Sequence, residues 1–249
     1  MGLTIHYTLR FNTRSPKKAC ELVTRLRGRA FDLPFEQVDD LIELSGAECD
    51  YQQYDPKHPN RWLLIQAGQY VDDPERKGSS YNVTPAHIIA FSTWPGQGCE
   101  EANFGLCRYP TSIEVDDSIP HRTKRRIRTG LGAWTWCSFC KTQYASNPQC
   151  GGVNNFLRCH LLVIRMLDHA KTLGILKSVS DEGGFWEKRD VPALAREVGE
   201  WNAVIAQQAG QLKDILGCEF QAAITQYIAD PRPRLCGRER RIAVMWFTT

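Results

Sequence analysis

Cys137 and Cys140 stand two residues apart, Cys150 follows, and Cys159 directly precedes His160. Cys-x2-Cys is a zinc-knuckle spacing, and structural zinc wants four soft or borderline ligands in a tetrahedron. The intervening Ser138-Phe139 has no Gly or Pro to bend the chain, and residues three apart on a strand point to opposite faces. Two readings stand: a structural zinc site at Cys137 and Cys140, or two thiols packed on opposite sides of a strand. His160 shares a helical stripe with Phe156, Val163 and Leu167, which places it inside. A buried imidazole needs hydrogen-bond partners or loses affinity for its proton. His160 is therefore either a satisfied structural histidine or a base acting on a thiol such as Cys140.

Asp181, Glu182 and Glu187 surround Gly183-Gly184 and adjoin Phe185 and Trp186. Two carboxylates in a partly apolar setting can be driven to different pKa values and divide acid and base work. Lys141 and Gln143 are their natural polar partners if the two segments pair. His160, Lys141, Gln143, Asp181 and Glu182 thus form the candidate catalytic set of a hydrolase or transferase. The alternative is a turn with solvated carboxylates and one ion pair to Lys141, which carries little energy. Arg122, Lys124, Arg125, Arg126 and Arg128 crowd one segment, and Arg232 to Arg241 form a second basic cluster. If the two met, they would neutralise several phosphates, and Trp134 and Trp136 could stack on bases. Trp186 is a further candidate binding residue. No glycine-rich phosphate loop, Gly-x-Ser-x-Gly, His-Glu-x-x-His or calcium-loop pattern occurs.

The elements that must position these groups can be read from periodicity. Leu3, Ile5, Tyr7 and Leu9 alternate with polar residues, as in a half-buried strand. Ser15 and Pro16 open a helix with Ala19, Leu22, Val23, Leu26 and Ala30 inward and Pro34 beyond its end. Strands are expected at Val38 to Leu44, Arg61 to Val71, His87 to Ser92 and Ala102 to Tyr109, with a surface loop at Tyr51 to Asn60 and a hairpin connection at Pro95 to Gly98. The continuous apolar run Ile88 to Phe91 predicts burial on both faces. An aromatic strand, Trp134 to Tyr144, turns Trp134, Trp136, Ser138 and Cys140 to one face. A helix from Val153 to Leu173 closes at Gly174, and Leu176 to Glu187 reads as a strand with a glycine bulge or turn. Asp190 caps a last helix whose stripe runs through Leu194, Val198, Trp201, Ile205, Gln208, Leu212 and Ile215, and Ile242 to Phe247 makes a final strand. This order describes one α+β domain over residues 1–249, β-rich with one helix to residue 118 and helix-rich from 119: a mainly antiparallel sheet with about three helices packed on one face.

The chain has 249 residues, of which seven are Trp, eight Tyr and ten Phe, too many aromatics for a disordered chain. Its formal charge of +3 means that acidic regions balance the Arg clusters. The ten Cys would suggest a disulfide framework in a small secreted domain. The opening residues have no cationic segment followed by an apolar stretch, so reduced cytoplasmic thiols are expected instead. Leu161 to Leu167 is short and broken by Arg165, far from the about 20 apolar residues of a membrane span.

Met1-Gly2-Leu3-Thr4-Ile5-His6-Tyr7, Lys141-Thr142-Gln143-Tyr144-Ala145 and Asp181-Glu182-Gly183-Gly184-Phe185-Trp186-Glu187 together resemble motifs of a family of uncharacterised bacterial hypothetical proteins. The resemblance implies a bacterial cytoplasmic setting, brings no activity or cofactor, and marks Lys141, Gln143, Asp181, Glu182 and Trp186. The expected function is a non-catalytic interaction module, its partner a protein or, through the Arg clusters, a nucleic acid, and not a membrane. The hydrolase or transferase reading and the zinc reading are the alternatives.

Overall fold

In the computed structural model, which describes residues 3–115, 124–200 and 202–203, the opening alternation becomes strand β1 (Thr4–Phe11). Leu3, Ile5, Tyr7 and Leu9 are at most 2% exposed, while His6 and Arg10 face solvent. Helix α1 (Pro16–Phe31) follows, with the Ser15 hydroxyl accepting from the Lys18 N–H and Pro16 in its first turn. Those features satisfy or remove donors that a helix start leaves orphaned. Its inward stripe buries Ala19, Val23, Leu26 and Ala30.

Residues 38–44 make two strands. β2 (Gln37–Val38) and β3 (Ile42–Ser45) both pair with β6 (His87–Trp94), against Thr93–Trp94 and His87–Ala90 respectively. Asp39 and Asp40 break the run, because Arg27 holds the Asp39 carbonyl at 2.7 Å and the Asp40 carboxylate at 2.9 Å. The strand expected over residues 61–71 is also corrected. Arg61–Ala67 is helix α2, and only Gln69–Asp72 is extended, as β4, paired with β5 (Ser80–Val83). A four-residue apolar run, Trp62 to Ile65, suits either state. Here Leu63, Leu64 and Ala67 bury one helical face, and extended Gly68 ends it.

β6 turns back into β7 (Ala102–Arg108), with Phe91 opposite Phe104 and both fully buried. In the connection, Gly98 has φ +78°, and a Cβ there would lie 2.6 Å from the Tyr144 carbonyl oxygen. Only glycine allows that approach. β8 (Ser112–Val115) and β9 (Arg125–Arg128) form a separate two-stranded ribbon. The aromatic strand is β10 (Trp134–Lys141), followed by a 3-10 turn over Gln143–Ser146 and helix α3 (Gly152–Thr172). Strand β11 (Leu176–Asp181) comes next. The expected extension of that strand through Glu187 does not form: Gly183 and Gly184 turn the chain, and Phe185–Lys188 is the short helix α4. A further helix, α5, runs over 191–200, with Asp190 accepting from the Ala193 N–H as the expected cap. The continuation of that helix beyond residue 203, the final strand and the second Arg cluster lie outside the described residues.

Among the described residues the main sheet has the order β11–β1–β10–β7–β6–β2, with β3 also on β6, and every pairing is antiparallel. The long helices α1 and α3 touch each other, and α1 also lies against β6 and β7. Leu194 and Val198 of α5 join the same hydrophobic core as α1 and α3. The fold is α+β with a mainly antiparallel sheet, as the sequence pattern implies. No described helix is long and apolar enough to cross a membrane.

Candidate functional site

His160 comes from the buried stripe of α3, its ring tilted against Phe156 at 5.3 Å between centroids. Its Nε2 lies 3.2 Å from Asp181 Oδ2, and its Nδ1 lies 3.0 Å from the Thr142 hydroxyl. Asp181, the last residue of β11, also accepts from the Gly183 N–H at 2.9 Å and the Trp186 N–H at 2.8 Å. Three donors on one carboxylate fix its ionised form. Burial pushes the Asp181 carboxyl up, but the His160 hydrogen bond and charge, with the Trp186 and Gly183 N–H groups, hold it below the usual range. Gly183 is needed for the fit: a Cβ there would come within 2.6 Å of Leu194 and 3.3 Å of Asp181 Oδ1.

Gln143 and Glu182 flank this pair and hold backbone. The Leu3 N–H donates to Gln143 Oε1 at 3.2 Å, and the Thr4 N–H donates to Glu182 Oε2 at 2.9 Å. The Thr142 N–H donates to the Leu3 carbonyl, and the Glu182 N–H to the Thr4 carbonyl, each at 3.1 Å. The start of β1 is thus gripped from both neighbours, β10 and β11. Thr142 has no place in the expected set, although it sits between two of its members. The signal is strand alternation: Thr142 falls on the same face as the buried Cys140, toward α3, where its hydroxyl meets His160.

Lys141 is not part of this network. Its Nζ reaches the Tyr144 hydroxyl at 3.2 Å and lies 4.7 Å from that ring's centroid, so the expected ion pair with Asp181 or Glu182 is replaced by a cation–π contact. Trp186 is half-buried under the Arg189 guanidinium, 4.4 Å away. Trp134 and Trp136 are 1% and 0% exposed, so as folded neither offers a face to a base. The Trp136 indole N–H instead donates to the Asn103 carbonyl at 2.7 Å, as does the Tyr7 hydroxyl.

Of the basic segment, Arg122 lies outside the described residues. Arg125 pairs with the buried Asp73 and with Glu75 at 3.0 Å, and Lys124 lies 3.6 Å from Glu114. Arg126 donates to the Ser112 hydroxyl at 2.8 Å. The Arg125 hydrogen bond is the largest cause holding Asp73 down, from 3.8 to about 2. Acidic neighbours therefore take up part of the charge that a nucleic acid would use. Cys137 and Cys140 point to opposite faces of β10: the Cys137 sulfur is 3.6 Å from the Thr8 hydroxyl, and the Cys140 thiol donates to the Glu100 carbonyl at 3.2 Å. That divergence removes the zinc site, and no cluster of three or more metal-binding side chains occurs among the described residues.

On the sheet face away from α1 and α3 lies a hollow of about 380 Å³. His6, Thr8, Cys137 and Phe139 form its floor, Ser178 and Ser180 one side, and Gln66 of α2 another. Beneath it, Asn103 donates to Gln66 Oε1 at 2.6 Å and the Ser138 hydroxyl approaches the same oxygen at 3.3 Å. The structure thus defines an α+β protein with a sealed His–Asp network on one side of its sheet and an open neutral hollow on the other. Compared with known proteins, the chain matches no family model, no curated protein and no solved structure.

Proposed function

We propose that this chain is a non-catalytic interaction module that recognises a polypeptide at the hollow and along the neighbouring edge strand, β11. The observation that carries this reading is the hollow itself. Its lining has no carboxylate, Lys or Arg; beside His6 it offers hydroxyls, amides, two aromatic rings, Val179, Gly68 and the Cys137 thiol. β11 ends the order of the main sheet, so among the described residues only its β1 side is paired. An extended peptide added there would continue the ladder through its backbone and lay alternate side chains into the hollow. A neutral lining offers hydroxyls and amides to a peptide and nothing to a phosphate, which favours protein over nucleic acid.

The His160–Asp181 network supports the same reading from the other side. Its side chains are 0% exposed and their hydrogen-bonding capacity is used within the chain, whereas a general base must come within reach of a substrate proton. The test uses the full chain with Ser178→Lys and Ser180→Lys, two exposed positions where charge blocks strand addition. Wild type should retain a defined partner from its native cell through nuclease treatment, and the double variant, equally folded by circular dichroism, should lose it. Retention that vanishes with nuclease, or survives both lysines, would refute the proposal.

A further inference from the structure

Cys159 precedes His160 on α3 and faces a different element, the turn between β6 and β7. Its thiol donates to the Pro95 carbonyl at 3.4 Å, and a Cβ on Gly96 would come within 3.1 Å of its sulfur. Cys99 closes that turn, its N–H donating to the Gly96 carbonyl at 3.1 Å. The Cys99 and Cys159 thiols are hydrogen-bonded to one another, and both residues are 0% exposed. The turn is tied to α3 by Asn155, which donates to the Gln97 carbonyl at 3.0 Å. Next to it Arg158 bonds Glu36 at 2.9 Å and the Pro34 carbonyl at 3.2 Å. Two reduced thiols are thus held in contact across a surface turn and a helix.

The environment distinguishes the two sulfurs. The Cys99 hydrogen bond, opposed by burial and aided by the Arg158 guanidinium, holds Cys159 below the ordinary thiol value. Burial, and then the Cys159 contact, pushes Cys99 well above it. A thiolate is the nucleophile in thiol oxidation, so the roles divide.

We propose that Cys99 and Cys159 are a dithiol that a hydroperoxide converts into an intramolecular disulfide, fastening α3 to the β6–β7 turn. The Cys159 thiolate attacks one peroxide oxygen: an S–O bond forms, the O–O bond breaks, and the departing oxygen takes the proton that Cys159 gave up. With hydrogen peroxide that product is water. Cys99 then attacks the Cys159 sulfur: the S–S bond forms, the S–O bond breaks, and hydroxide leaves as water with the Cys99 proton. Two thiols lose two electrons and two protons, and the peroxide is reduced. Hydrogen peroxide is close to water in size, whereas a peptide disulfide does not fit at a fully covered sulfur. Among the neighbouring thiols, Cys140 is committed to the Glu100 carbonyl.

The full-length chain is titrated with hydrogen peroxide under native conditions, alkylated, and mapped by mass spectrometry without reduction. The expected product has lost two hydrogens and contains a cross-linked peptide joining Cys99 to Cys159. In Cys99→Ser the link is absent and a dione probe, added as the peroxide-treated chain is unfolded, captures a sulfenic acid on Cys159, whereas Cys140→Ser gives the wild-type link in full yield. Glutathione disulfide gives less than a tenth of the peroxide yield. A link to any other cysteine, oxidation that leaves Cys99 and Cys159 reduced while the half-exposed Cys20, Cys137 or Cys150 react, or equal yield from glutathione disulfide would overturn the proposal. The mapping of the wild-type chain decides this even if a variant fails to fold.

Discussion

His160 and Asp181 have no solvent contact through their side chains, so truncating either leaves a polar group buried with its hydration gone and its partner missing. Removing one member of a buried ion pair costs about 3–5 kcal/mol. His160→Ala is therefore expected to lower unfolding free energy by roughly that amount, and Asp181→Asn by less, about 1–3 kcal/mol, because an acceptor oxygen remains for one backbone N–H. Urea midpoints check both, and a loss under 1 kcal/mol in His160→Ala would mean that the network is not structural. His160 was legible because its stripe of Phe156, Val163 and Leu167 is unambiguous at helical spacing. Asp181 and Glu182 were legible as a pair, but not their roles, since pattern cannot tell a carboxylate that takes a ring N–H from one that takes the N–H of Thr4. Lys141 went astray for a geometric reason. It alternates with Cys140 and so projects on the side of Phe139 and Tyr144, away from α3.

At the scale of elements, the sheet was the more readable part. β1, β6, β7 and β10 announce themselves by alternation or by continuous apolar runs, and each pairs as a long antiparallel ladder or meander. The misread pieces are short. α2 is seven residues and α4 four, too few for helical periodicity to outweigh a β-like composition. What holds the elements together is equally specific at their connections. Gly98 combines φ +78° with a backbone carbonyl 2.6 Å from where a Cβ would stand. A left-handed conformation costs a non-glycine residue roughly 1–2 kcal/mol before any clash. Gly98→Ala is expected to lose at least about 2 kcal/mol, since the 3-10 turn carrying Tyr144 must also move. Gly130→Ala, also at positive φ but with nothing within 4 Å, should lose only the conformational part, about 1 kcal/mol. Thermal melts of the two variants separate strain from crowding, and equal losses would show that the close approach is unimportant.

For the whole molecule, the balance of charge decides both partners and acid stability. The net +3 is spread over a chain whose most basic described segment is already partly engaged, Arg125 with Asp73 and Glu75 and Lys124 with Glu114. Arg125→Ala should accordingly weaken folding more than it changes retention on a phosphate-bearing column. The same pairing sets a pH window. Asp73 lies at about 2 in the folded protein against 3.8 ordinarily, chiefly through the Arg125 hydrogen bond, and Asp181 is also depressed. A carboxyl depressed by folding binds fewer protons in the native state than in the unfolded chain. The stabilisation it gives is complete above the unfolded pKa and is lost as pH falls through the folded one. Burial and the Arg29 and Arg25 charges hold His169 below the usual imidazole range, so stability should fall modestly as pH drops from neutrality through that range, and then decline steeply from 3.8 toward about 2 as the two carboxyls protonate. In Asp73→Asn the unfolding free energy should be lower than wild type at pH 7, while its slope between those two pH values is shallower because one proton-linked group has gone. Urea titrations at half-unit intervals measure that slope directly. A variant whose slope matched wild type would place the acid sensitivity elsewhere and leave the Asp73–Arg125 pair as a contact without thermodynamic consequence.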